Sequence, residues 1–184
     1  MLYLTAAVVF VGVIGLLNLV LTYGVIRRLR EHDAALADRS HMSGFDVMVP
    51  AGTAVADFET QTVDGMPVSN ADLTGHSVVG FFSTTCEPCR DRLPEFVTHA
   101  ATVPGGPDGV LAVVVSDPVD ADTSVADLFV ERLRPVARVV AELYDGPIGK
   151  AFGVRAYPAL AVVVDGTVVA SGDNLDVLVA APTT

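Results

Sequence analysis

Cys86 and Cys89 are the only two cysteines in a chain of 184 residues, and they stand in the run Thr84-Thr-Cys-Glu-Pro-Cys-Arg90. A Cys-x-x-Cys pair is chemically useful when its first sulfur sits at the start of a helix, where unpaired backbone N–H groups and the helix dipole favour a thiolate. The surrounding residues supply such a start. Ser77-Val-Val-Gly-Phe-Phe-Ser83 is the continuous apolar run of a strand buried on both faces, and a helix is predicted near 87–101. Cys89 then lies one turn beyond Cys86 on the same helix face, within reach of its sulfur, so a disulfide can close and open there. Pro88 is compatible with the first turn, which needs no N–H from it. Two cysteines cannot make a multi-bridge scaffold, nor a four-ligand zinc site without histidine. The four histidines, His32, His41, His76 and His99, show no ligand spacing. No metal and no cofactor are expected.

The elements that must hold this pair are legible in outline. Thr60-Gln-Thr-Val-Asp-Gly-Met-Pro-Val-Ser69 reads as two short strands joined at Asp64-Gly65, a pair that tolerates the positive φ of tight hairpins. Val110–Val115 and Ala159–Val164 are further apolar runs, the latter joined through Asp165-Gly166 to Thr167–Ala170. Helices are predicted near 87–101, 123–134, 147–152 and 174–180, with Thr123 or Ser124 as a cap for the second. Strands alternating with helices imply an α/β fold with a central sheet and helices on both faces. Phe81, Phe82, Phe96, Phe129 and Phe152 are expected in the core, Phe82 also forming the floor below the cysteines. Pro104–Gly109 is a surface loop, and Asp117–Asp127 an acidic solvated turn.

The composition is uneven. Residues 1–26 contain no charged side chain, and at 1.5 Å per residue about 24 of them reach roughly 36 Å, enough to cross a hydrocarbon core of about 30 Å with some tilt. We read 1–26 as one retained transmembrane helix, since a cleaved signal would carry a basic start, a shorter apolar run and a small-residue cleavage site. Residues 27–53 are then a juxtamembrane stalk and linker, and 54–184 one domain. The net charge is −11 and the pI about 4.5; with no concentrated basic face, a nucleic-acid partner is excluded.

With these motifs placed, the chain resembles the thioredoxin superfamily over about residues 54–180, and within it the membrane-tethered TlpA/ResA-like and MauD-like thiol-disulfide oxidoreductases. The resemblance rests on Cys86-Glu-Pro-Cys89, on Pro94 five residues after the second cysteine, and on Ala151-Phe-Gly-Val-Arg-Ala-Tyr-Pro158. It implies a thioredoxin-like fold, a mixed central sheet flanked by helices. It also implies a kink at Pro94 and a cis-proline at Pro158, facing the cysteines and offering no N–H, with Tyr157 beside it in reach of a substrate backbone. Three departures stand out. Thr85 replaces the family's aromatic before the first cysteine, Gly80 stands where thioredoxins often carry a buried acid, and Arg92 replaces a glutamate of ResA-type proteins. Glu87 and Asp91 are the acids left near the pair.

The resemblance implies two-step exchange, in which the Cys86 thiolate attacks a substrate disulfide and Cys89 resolves the mixed disulfide. Glu87 beside Cys86 disfavours the thiolate and Arg90 opposes that, with Glu87-Pro88 tuning the pair. Family analogy favours a reductase acting on protein disulfides and fed by a membrane thiol donor, with the domain outside the cytoplasmic membrane. Arg27, Arg28 and Arg30, directly after the apolar segment, argue for the other side. The alternatives are a non-catalytic module with a structural disulfide, a peroxiredoxin-like peroxidase and a copper-delivery protein. The peroxidase signature Pro-x-x-x-Thr-x-x-Cys would need Pro and Thr at Val79 and Ser83. Copper delivery would want a wider cysteine spacing and a nearby histidine.

Overall fold

The computed structural model describes residues 47–117 and 124–180, with Gly12 as an isolated position. Apart from Gly12, the apolar segment 1–26, the stalk to residue 40, the linker as far as Asp46, and the capping position Thr123 lie outside the described residues. Among the described residues no helix is long and apolar enough to cross a membrane.

Among residues 47–117 and 124–180, seven strands and four α-helices follow in the order β1 (Glu59–Gln61), β2 (Pro67–Ser69), β3 (His76–Ser83), α1 (Glu87–Ala100), β4 (Val110–Ser116), α2 (Ser124–Leu133), β5 (Arg138–Leu143), α3 (Pro147–Ala151), β6 (Ala159–Val164), β7 (Thr167–Gly172) and α4 (Asp176–Ala180). β1 and β2 form a separate antiparallel hairpin, and the main sheet runs β5-β4-β3-β6-β7. β3 pairs in parallel with β4, and β4 with β5, while β6 runs antiparallel to both β3 and β7. This is the mixed sheet of a thioredoxin-like fold.

The apolar runs take the centre because both faces of the sheet are covered. Along β3, Val78 and Phe82 pack with α1, α2 and α4, whereas Val79 and Phe81 pack with α3, Phe152 and the hairpin. Phe81 meets Phe152 at a ring separation of 5.4 Å, and Phe82 meets Phe96 of α1 at 5.0 Å, both edge to face. On α1 the buried residues Cys89, Leu93, Phe96 and Ala100 fall at spacings of four, three and four, one stripe of a helix. Pro94 lies inside α1 on its exposed side, where its missing N–H and ring disturb only the outer face.

Both Asp-Gly pairs are turns. Gly65 has φ +77° between β1 and β2, and Asp165 and Gly166 have φ +47° and +74° between β6 and β7, the left-handed pair of a two-residue hairpin. Arg134, just after α2, forms an ion pair with Asp64 and ties the hairpin turn to the helix end.

Two features differ from the sequence expectation. β5 has no counterpart among the expected strands: it is an edge strand with only Val139 and Val140 buried, so it lacks a continuous apolar run. Second, Val47–Thr53, whose composition fits a linker or a docking strand and which the sequence groups with the linker, is packed chain. Met48 is buried, Val49 N–H donates to Phe152 O at 2.9 Å, and Gly52 N–H donates to Val168 O at 2.7 Å. With a bridge from Ala54 to Thr167, this segment covers the otherwise open edge of β7.

Gly80 is fixed by close approach. A Cβ there would stand 2.8 Å from the Phe96 ring and 2.9 Å from Phe82. Both rings are fully buried, so neither can swing aside. Gly80→Ala should therefore lower stability by about 1–3 kcal/mol through overpacking, read as a lower urea midpoint with an unchanged slope.

Candidate active site

β3 delivers the chain to the site. Its last residue, Ser83, is buried, and Thr84 N–H continues the ladder by donating to Val115 O at 3.0 Å. Cys86 follows as the N-cap of α1 in extended conformation, φ −91° and ψ 112°, and its sulfur accepts from the Cys89 N–H at 3.2 Å. A sulfur in this position satisfies one of the helix's orphan donors, and a thiolate accepts such a bond more strongly than a neutral sulfur. Cys86 and Cys89 are joined in a disulfide with Cα atoms 5.3 Å apart.

The two sulfurs are not equivalent. Cys86 is half-buried, whereas Cys89 has no exposed surface and packs in the core with Phe82, Leu93 and Phe96. Phe82 therefore lies beneath the pair. Glu87 and Pro88 stand exposed in the first helical turn, with Asp91 exposed one turn on. Arg90 donates from Nη2 to Thr84 O at 3.1 Å and braces the strand-to-helix junction.

The Tyr157–Pro158 peptide bond is cis. Pro158 is buried at the start of β6, and the Tyr157 carbonyl oxygen lies 3.4 Å from Cys86 Sγ, so a Cys86 thiol can donate to it. Four of the expected site residues, Cys86, Cys89, Tyr157 and Pro158, thus meet at one end of the sheet. The Tyr157 phenol is pushed up to about 12, first by burial and then by Tyr144, Glu142 and Asp145, so it stays protonated at neutral pH.

Tyr144 and Glu142 were not expected from the sequence, because both belong to β5 or its end. Tyr144 Oη is 2.7 Å from Ser83 Oγ and 3.2 Å from Thr85 Oγ1, and its ring stands edge-on to Tyr157 at 5.6 Å. Glu142 accepts from Ile148 N–H at 3.2 Å and Gly149 N–H at 2.9 Å, holding the start of α3. The signal available was the demand of a parallel sheet: a helix at 124–133 after β4 needs a further strand on which to return.

The chain matches the redoxin family over residues 50–177. It belongs to the redoxin family. No curated protein matches it. Among solved structures the redoxin is similar in fold to the thioredoxin domain of a thiol-disulfide oxidoreductase from Bacteroides vulgatus, at 19% identity and a TM-score of 0.54, covering 71% of this chain and 93% of that one. It is similar to a thio-disulfide isomerase from Thermus thermophilus at 22% identity and a TM-score of 0.53, again covering 71% and 93%. A third likeness is to a thiol:disulfide interchange protein DsbE from Chlorobium tepidum, at 21% identity and a TM-score of 0.52, covering 68% and 86%. Family membership, together with a partly buried Cys86 whose disulfide sulfur caps a helix beside a cis-proline, makes the redoxin a thiol-disulfide oxidoreductase.

Burial raises the Glu142 carboxyl above its ordinary value of 4.5, outweighing the two amides and Lys150, which lower it. A raised acid binds its proton more tightly in the folded chain, so folding stability should fall as pH rises from about 4.5 through the raised value. Glu142→Gln should remove that slope, measured as urea midpoint against pH; an unchanged slope would assign it to other groups.

Proposed function

We propose that this chain is a membrane-tethered reductase of protein disulfides, of the TlpA/ResA-like kind, working through Cys86-Glu-Pro-Cys89. The observation that carries this reading is the asymmetry of the pair: Cys86 caps α1 and is only partly buried, and Cys89 lies behind it with no exposed surface.

In the reducing direction the Cys86 thiolate attacks one sulfur of a substrate disulfide. The substrate S–S bond breaks, its leaving sulfur takes a proton, and Cys86 holds a mixed disulfide. Cys89 then gives up its proton and attacks Cys86 Sγ, which releases the second substrate thiol and leaves the Cys86–Cys89 disulfide. Two electrons pass from the pair to the substrate, and a thiol donor must return them. Tyr157 and Pro158 line the approach to Cys86. Glu87 and Pro88 tune the pair from the first turn of α1.

The tether is the charge-free segment 1–26. Thiol-disulfide exchange is most useful where the cysteines of exported proteins are handled, so the domain is placed outside the cytoplasmic membrane, with a membrane thiol carrier as donor. Arg27, Arg28 and Arg30 favour the opposite side by the positive-inside tendency. A reporter fused after Thr184 decides between them. The names of the fold neighbours, an oxidoreductase and an interchange protein of thiols and disulfides, agree with the reaction class.

The reduction potential of the pair tests the direction. Titrated in dithiothreitol or glutathione buffers, it should fall toward the thioredoxin end, about −270 mV; a value near −120 mV would make the chain an oxidant. Cys89→Ser should accumulate a mixed disulfide on Cys86, and Cys86→Ser should abolish exchange. Absence of any reversible two-electron transition would overturn the proposal.

A further inference from the structure

Tyr144 is built into the site without belonging to the Cys-x-x-Cys helix or to the cis-proline loop. It follows β5, and three contacts hold it. Its hydroxyl reaches Ser83 Oγ at 2.7 Å and Thr85 Oγ1 at 3.2 Å, and those two hydroxyls are 3.1 Å from each other. Its ring meets that of Tyr157, at 5.6 Å and 69° between planes. Tyr157 in turn presents its carbonyl to Cys86 Sγ. A side chain so anchored at its tip and on one ring edge has few rotamers left, yet 39% of Tyr144 remains exposed. The residue directly before Cys86 is Thr85, whose short side chain offers no comparable surface.

A restrained aromatic with exposed surface, close to a reactive sulfur, is a contact for polypeptide. It supplies large apolar area with little conformational entropy left to lose on binding. A small disulfide reaching Cys86 touches the sulfur alone, whereas a cystine within a peptide brings flanking residues across the neighbouring surface.

We propose that Tyr144 is a specificity-determining residue, whose exposed aromatic surface packs against the residues flanking a substrate cystine and selects polypeptide disulfides over small ones. This rests on the disulfide-exchange reading above, and the chemistry at sulfur is unchanged by it. The hydroxyls of Ser83 and Thr85 hold the ring in place.

The test uses the full-length chain in detergent micelles, with dithiothreitol as electron source. The probes are a ten-residue peptide containing one intramolecular disulfide and 2-hydroxyethyl disulfide. Tyr144→Ala should raise KM for the peptide on the order of tenfold, the size of a central aromatic contact. It should leave kcat, the rate with 2-hydroxyethyl disulfide and the Cys86/Cys89 potential unchanged. Tyr144→Phe keeps the ring and should hold the peptide KM within about threefold of the original. The proposal is overturned if Tyr144→Ala changes both substrates equally, if it shifts the potential, or if Tyr144→Phe raises the peptide KM as much as Tyr144→Ala. If the unmutated chain reduces neither probe, the exchange reading itself falls, a result visible before any variant is made.

Discussion

The site depends on one junction, where a strand buried on both faces runs directly into the first turn of α1. β3 cannot shift, because Val79 and Phe81 face one layer of core and Val78 and Phe82 the other; a slip of one residue would exchange them. The register then fixes the other half of the site. Phe81 stands opposite Ala159 of the antiparallel strand β6, so Pro158 and Tyr157 arrive at the level of the residues leading to Cys86. The Tyr157 carbonyl meets the Cys86 sulfur because two strands are in register, and no long loop is needed to bring them together.

The same packing decides what chemistry is available beneath the cysteines. The position on β3 where a buried acid would point toward the pair is Gly80, and the space above it is filled by the rings of Phe82 and Phe96. Those rings give α1 its hold on the sheet, so an acid at this position and this aromatic contact exclude one another. Glu142, among the described residues the one carboxyl raised by burial, is already engaged by the amides that begin α3. Among the described residues, no carboxylate therefore stands beneath the pair at the Gly80 position.

What was legible in the sequence follows from burial. β3, β4 and β6 announce themselves as unbroken apolar runs because they are interior strands, and the Asp-Gly pairs mark their turns because few other residues tolerate the left-handed backbone found there. β5 is an edge strand with mixed exposure, and its omission also hid Tyr144 and Glu142. Val47–Thr53 was unreadable for another reason: it makes no regular element, and its order comes from hydrogen bonds to residues more than a hundred positions away. The cis bond before Pro158 was expected from family resemblance alone, since an X-Pro pair by itself favours trans.

The stability of a Cys86 thiolate is subject to forces that oppose one another within a single helical turn. The Cys89 N–H bonds to the Cys86 sulfur even in the disulfide, but a thiolate accepts such a bond about twice as strongly as a neutral sulfur, so the helix start favours the reduced pair and draws the potential toward the oxidising end. Glu87, an exposed acid in the same turn, works against it. The guanidinium of Arg90, held at the Thr84 carbonyl two residues before Cys86, opposes Glu87. A hydrogen bond to a neutral carbonyl leaves the guanidinium charge in place, so the helix start and Arg90 act on the thiolate in one sense and Glu87 in the other, and the potential of the pair records which is larger.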